Sequence, residues 1–132
     1  MKRVLLVEDD PDLLDALERQ FREVAPDWEV ASARDGVAAL ELALAHKPHV
    51  IVLDLMVPRM RGLEMLRRLR KYDWGKDIRV MVLTNFDEGA YLQEAISLNV
   101  SDFMVKAHYS LEDVVKRVRS IADERVRSAD FA

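Results

Sequence analysis

The chain has 132 residues and no cysteine. Disulfides, thiolate metal sites and cysteine nucleophiles are therefore excluded. No apolar run approaches the length of a membrane span. The opening stretch MKRVLLVEDD sets only four apolar residues between its basic pair and its first acids, too few for the core of a signal peptide. An excess of one charge is missing too. Twenty basic and 24 acidic residues leave a net charge of −4, which does not favour nucleic acid or an anionic membrane as a direct partner. There is no internal repeat, no low-complexity segment and no P-loop glycine pattern. What is present, 50% hydrophobic and 33% charged residues, suits one soluble globular domain, and the length supports one core rather than two. A cytoplasmic protein is expected.

Two patterns alternate along the chain. The runs RVLLV (3–7), VIVL (50–53), RVMVL (79–83) and FMV (103–105) are continuously apolar and rich in β-branched residues, so both faces of each should be buried, as in a parallel sheet. WEVASA (28–33) reads as a weaker strand at an edge. Between these runs, apolar residues recur at helical spacing: Leu13, Leu17, Phe21 and Val24; Val37, Leu40 and Leu44; Leu63, Leu66 and Leu69. Leu92, Ala95, Ile96 and Asn99 suggest a fourth helix over roughly 88–98, and Leu111, Val114, Val115, Val118, Ile121 and Ala122 a fifth. Asp10 followed by Pro11 reads as an N-cap with proline at the first helical position. Asp35 should cap the second helix, Ser110 with Asp113 resembles a capping box, and Pro48 stops the second helix. Five β-α units in succession imply an α/β fold, a parallel sheet with right-handed crossovers and helices on both faces. These patterns leave the strand order open.

In HVIVLDLMVPRMRG (49–62) a run of apolar residues ends on Asp54. A carboxylate at the end of a buried strand is costly unless something uses it. Ligands of open α/β sheets bind at the carboxyl ends of the strands. On that edge the first strand delivers Glu8 and Asp9, the third Asp54, the fourth Thr84 and the fifth Lys106. Carboxylates crowded into one cleft need a cation, and an oxygen-only donor set suits a hard ion, Mg²⁺ first among them. With Lys106 and Thr84 beside it, such a site is suited to a phosphoryl group, and the carboxylate becomes the nucleophile that forms an aspartyl-phosphate.

LLVEDDP (5–11), VIVLDLMVPRMRG (50–62), VMVLTN (80–85) and DFMVK (102–106) together resemble the motifs of the receiver domain of two-component response regulators. Each motif is weak by itself; four in this order and at these spacings are specific, and they span essentially the whole chain. The resemblance implies a flavodoxin-like, doubly wound (βα)5 sheet of order 2-1-3-4-5 in a single domain over 1–124, with 125–132 a tail or the start of a linker. It implies Asp54 as phosphoacceptor. Asp9 would be a direct Mg²⁺ ligand, Glu8 a ligand through water, and Met56 a donor of its backbone carbonyl. Thr84 and Lys106 would contact phosphoryl oxygens, and Thr84 and Phe103 would be switch residues. A sensor histidine kinase or phosphotransfer protein would donate the phosphoryl group. A downstream effector or output domain would read the change on the face of the fourth helix, fifth strand and fifth helix.

The sequence departs from the family pattern in places. Ala107 follows Lys106 where proline on a cis bond is usual, and a cis bond to alanine costs about 3 kcal/mol, so a trans loop is expected. Phe103 lacks the hydroxyl of the commoner tyrosine, and Asn85 is bulkier than the usual small residue. Met56 and Phe86 are large and apolar where side chains govern water access, which points to slow loss of the phosphoryl group. His46, His49 and His108 show no ligand spacing and read as surface or packing residues. Arg59 and Arg61 flank the acceptor loop as solvated side chains that are able to steer an acidic donor. The segment 88–98 has no Lys or Arg, which disfavours the charge-paired homodimer of winged-helix regulators, though Arg117 and Arg119 are available to another phosphorylation-dependent homodimer. Two rival readings are a Mg²⁺-dependent phosphohydrolase working through an aspartyl-phosphate, with Asp10 as its second acid, and a flavodoxin-like cofactor binder. The acidic EDDPD after the first strand opposes the second.

Overall fold

The computed structural model describes residues 1–85 and 90–123. Phe86 and the segment 125–132, both named above, lie outside the described residues, as does the start of the segment expected as the fourth helix. The elements are β1 (Arg3–Val7), α1 (Pro11–Val24), β2 (Glu29–Ala33), α2 (Gly36–His46), β3 (Val50–Leu53), α3 (Gly62–Lys71), β4 (Arg79–Thr84), α4 (Leu92–Ser97), β5 (Asp102–Val105) and α5 (Leu111–Asp123). Single 3-10 turns occupy Asp73–Gly75 and Lys106–His108. The sheet is parallel throughout and ordered β2-β1-β3-β4-β5, the doubly wound α/β arrangement, with WEVASA at an edge.

The continuous apolar runs are buried on both faces because alternate residues serve two cores. Val4, Leu6, Val50, Val52, Met81 and Leu83 face α1 and α5, meeting Leu17, Phe21, Val115 and Val118. Leu5, Val7, Ile51, Leu53, Val80 and Val82 face the other way, toward Ala39, Ala43, Leu66 and Leu69. The expected caps form. Asp10 accepts from the amides of Asp12 and Leu13, and Asp35 from that of Ala38 at 2.8 Å. Ser110 and Asp113 exchange bonds of 3.1 and 3.2 Å. These caps fix where α1, α2 and α5 begin, and so where the loops at the carboxyl edge end.

Two helices differ from the sequence expectation. The buried face of α2 is Gly36, Ala39 and Ala43, whereas Leu44 is 52% exposed. GVAALELALAH is apolar on nearly every side, so spacing selects no face; close packing on β1, β2 and α3 selects the smallest residues. In α4 only Ala95 is buried, and Ile96 is 57% exposed. The helix closes before Asn99, whose φ of 62° is left-handed. Two arginines of α3 hold it. Arg67 pairs with Glu94, and Arg70 donates to the carbonyls of Leu98 and Asn99 as well as to Gly75, Lys76 and Ile78.

His49 does more than pack. Its Nδ1 accepts the Arg3 amide at 3.0 Å, its own amide donates to Arg3 O at 2.9 Å, and its carbonyl accepts from Arg79 N at 3.3 Å. One residue thus joins β1, β3 and β4 at the amino end of the sheet. Burial, then Lys2 and Arg3, hold its pKa below the ordinary 6.5. Because the folded state binds the proton less readily than the unfolded chain, this contribution is complete above about pH 6.5 and is lost as pH falls through the lower, folded value. His49→Asn, whose carboxamide oxygen accepts the same bond without titrating, is expected to remove this part of the pH dependence. Urea denaturation of both proteins from pH 7.5 to pH 5 checks it; parallel stability curves would count against the assignment.

Candidate functional site

The sheet's own hydrogen bonding places the carboxylates. Asp54 N donates to Val7 O at 3.0 Å and Glu8 N to Ala33 O at 3.0 Å, so the ladder runs one residue beyond β3 and β1. Glu8 and Asp54 are therefore buried, at 2% and 3% exposure, while Asp9 is exposed. Carboxylate oxygens of Glu8, Asp9 and Asp54 all lie within 4.8 Å of one another. Lys106, entering the 3-10 turn after β5, brings its ammonium 2.8 Å from Glu8 Oε2 and 3.1 Å from Asp54 Oδ2. Asp54 Oδ1 accepts from the Met56 amide at 3.0 Å, so both of its oxygens are held. Glu8 Oε2 meets the Lys106 ammonium at ion-pair distance, off the angle of a hydrogen bond, and Oε1 accepts from Asp10 N at 3.2 Å.

Thr84 closes β4, pairs with Val105 beside Lys106 and is buried at 6% exposure, with Oγ1 donating to Asn85 O at 3.3 Å. Phe103 is half-buried against the core that faces α2 and α3. Met56 contributes its amide to Asp54, and its sulfur accepts from Arg61. The bond from Lys106 to Ala107 is trans, and Lys106 still reaches both carboxylates. Asp10, the second acid that a phosphohydrolase would use, is engaged as the cap of α1.

Three carboxylates against one ammonium leave a surplus of negative charge. A carboxylate pair at this spacing repels by roughly 3 kcal/mol at an effective dielectric of about 20. The Glu8 carboxyl is pushed up in pKa, first by burial and further by Asp54, against the pull of Lys106 and the Asp10 amide. For Lys106, burial acts to lower the pKa, but the close ion pair with Glu8 and the charge and hydrogen bond of Asp54 outweigh it and the net shift is upward. The ammonium stays charged, and the surplus falls on the carboxylates. An all-oxygen cluster of this spacing and charge suits a hard divalent cation.

Residues 4–119 match the family model described as the response regulator receiver domain. The chain belongs to that family. This receiver domain is 34% identical over 119 residues to the response regulator MprA of Mycobacterium sp. (strain KMS), covering 90% of this chain and 50% of the relative. The chain thus spans about half the length of the curated relatives it matches. Among solved structures it is similar to a DNA-binding response regulator of the LuxR family from Staphylococcus aureus, with a TM-score of 0.83, 27% identity, and 93% and 100% of the two chains covered. It is also similar to the response regulator domain of Thermotoga maritima CheB, with a TM-score of 0.80, 28% identity, and 95% and 98% covered.

Sequence reasoning missed the residues that hold the β3–α3 loop of the receiver domain. Gly62 N donates to Leu55 O at 2.9 Å, and a Cβ there would lie 2.7 Å from Asp54 O and from Leu55 Cα. Gly36 N reaches Pro58 O at 3.3 Å, and its Cβ would stand 1.9 Å from Met60 O. The signal was a glycine on each side: one directly after the capping Asp35, one closing MVPRMRG. Gly62→Ala is expected to destabilise the domain by about 2 kcal/mol, since backbone must move to admit the methyl group; a chemical-denaturation difference near zero would show that the loop yields freely. Glu8→Gln should do the reverse in chelator. Its raised pKa means that the buried charge destabilises the fold increasingly as pH rises above the ordinary 4.5. The variant is expected to melt higher than the wild type at pH 8 and to converge with it toward pH 4.5; a lower melting temperature at pH 8 would contradict this.

Proposed function

We propose that this receiver domain is a phosphorylation-operated switch of a two-component system, with Asp54 as phosphoacceptor. Its family is that of response regulator receiver domains, not of classical enzymes. The observation that carries this reading is the ammonium of Lys106 held against Asp54 beside Glu8 and Asp9. A sensor histidine kinase or phosphotransfer protein supplies the phosphoryl group. An Asp54 oxygen attacks phosphorus as the bond to the donor breaks, leaving an acyl phosphate. Lys106 neutralises the oxygens of the incoming group, and the Met56 amide keeps the carboxylate oriented. Asp9, Asp54 and the Met56 carbonyl would hold Mg²⁺, with Glu8 acting through water. Bound Mg²⁺ supplies positive charge against the carboxylates and the phosphoryl oxygens.

In this reading Thr84, two residues past the β4 partner of Leu53, turns toward the new phosphoryl oxygens, and Phe103 changes rotamer on β5. The face of α4, β5 and α5 then shifts among partner-binding states for a downstream effector or output domain, or for a second copy in a phosphorylation-dependent homodimer. Direct nucleic-acid contact by this domain is disfavoured by its net charge of −4. No helix among the described residues is long and apolar enough to cross a membrane, which fits action in the cytoplasm. The domain is taken to span 1–124, with 125–132 as tail or linker. Incubation with Mg²⁺ and acetyl phosphate, followed by intact-mass spectrometry, is expected to add one phosphate to wild type and none to Asp54→Ala. Labelling of the variant, or none of the wild type, rejects the reading.

A further inference from the structure

The two arginines of the acceptor loop stand differently. Arg59 is engaged: its φ of 67° is left-handed, and its Nη1 lies 3.0 Å from Asp35 Oδ2 while the other oxygen of Asp35 caps α2. Arg61 is exposed and has no acidic partner among the described residues. Its guanidinium lies 3.6 Å from the Met56 sulfur, and the Met56 amide holds Asp54 Oδ1. On another loop of the same rim, Arg34 is exposed, also without an acidic partner among the described residues, and donates to the carbonyl of Asp9 at 3.3 Å. Two uncompensated guanidinium groups therefore border a well whose carboxylates outnumber its ammonium.

That pattern has a physical consequence. A phosphoryl donor is an anion, and the carboxylates of the well repel it on approach. Positive charge at the rim offsets that repulsion along the entry path and raises the encounter rate. We infer that Arg61 and Arg34 form a cationic collar that captures the phosphoryl dianion of the donor before it reaches Asp54, which makes them donor-recognition residues of this site. The inference rests on Asp54 being the acceptor. The ligand chemistry is the phosphoryl group itself, whether carried on an acyl oxygen or, as in phosphohistidine, on nitrogen. Guanidinium groups suit it because their paired N–H donors match phosphate oxygens and stay charged at any working pH.

The test is the second-order rate of Asp54 labelling, followed by intact mass with saturating Mg²⁺ at low ionic strength, for wild type, Arg61→Gln, Arg34→Gln and Arg22→Gln. Arg22 is exposed in the last turn of α1, at the opposite end of that helix from its Asp10 cap, and controls for net charge. Acetyl phosphate represents the acyl source and phosphoramidate the nitrogen source. Arg61→Gln and Arg34→Gln are each expected to slow labelling by about three- to tenfold with both donors, the deficit closing in about 0.5 M salt, and Arg22→Gln to match wild type. Unchanged rates at the rim, a deficit confined to one donor, or equal slowing by Arg22→Gln overturns the collar while leaving Asp54 as acceptor. A wild type that takes no label overturns both.

Discussion

A single ammonium group, Nζ of Lys106, lets two buried carboxylates share the end of the sheet. Glu8 and Asp54 lie on adjacent strands, and main-chain hydrogen bonds to Ala33 O and Val7 O pull both below the surface. Two buried negative charges at this separation are tolerable only with positive charge between them. Lys106 supplies part of it from across β4, at 2.8 and 3.1 Å. The balance remains negative, three carboxylates against one ammonium, and burial first and then the charge of Asp54 raise the pKa of Glu8. That surplus of negative charge suits the site to a cation.

The remainder of the architecture keeps that cluster in register. The loop carrying Asp54 into α3 is pinned by Gly62 against Leu55, by Gly36 against Pro58, and by Arg59 against Asp35. In turn α3 grips α4 through Arg67 and Arg70. A chain of direct contacts therefore runs from the β3–α3 loop to α4, itself part of the proposed partner face. Among the described residues Arg70 bonds to main-chain carbonyls alone, which ties it to the backbone path rather than to the identity of neighbouring side chains.

Much of the site was legible in the sequence because parallel sheets put strand ends on one edge. A polar residue that closes an otherwise apolar strand is conspicuous, and Glu8, Asp54, Thr84 and Lys106 each do so. The parts that were not legible depend on close approach or on the choice between like residues. Nothing local to GVAALELALAH says which side faces the sheet, and nothing local to HKPHV says that His49 will accept the amide of Arg3, a residue 46 positions away. Arg59 and Arg61 look equivalent in MVPRMRG; only the fold brings Asp35 to one of them.

By itself the amino-acid sequence determined the element order, the capped helix starts, the burial of both sheet faces and the set of chemical groups at the carboxyl edge, because each of these follows from patterns a few residues long. The tertiary structure decided which charges pair, which stay uncompensated, where backbone must approach too closely for a Cβ, and how far Lys106 reaches. Those outcomes depend on distances between segments that are remote in the chain, and Coulomb and contact energies change steeply over the few ångströms that only packing sets.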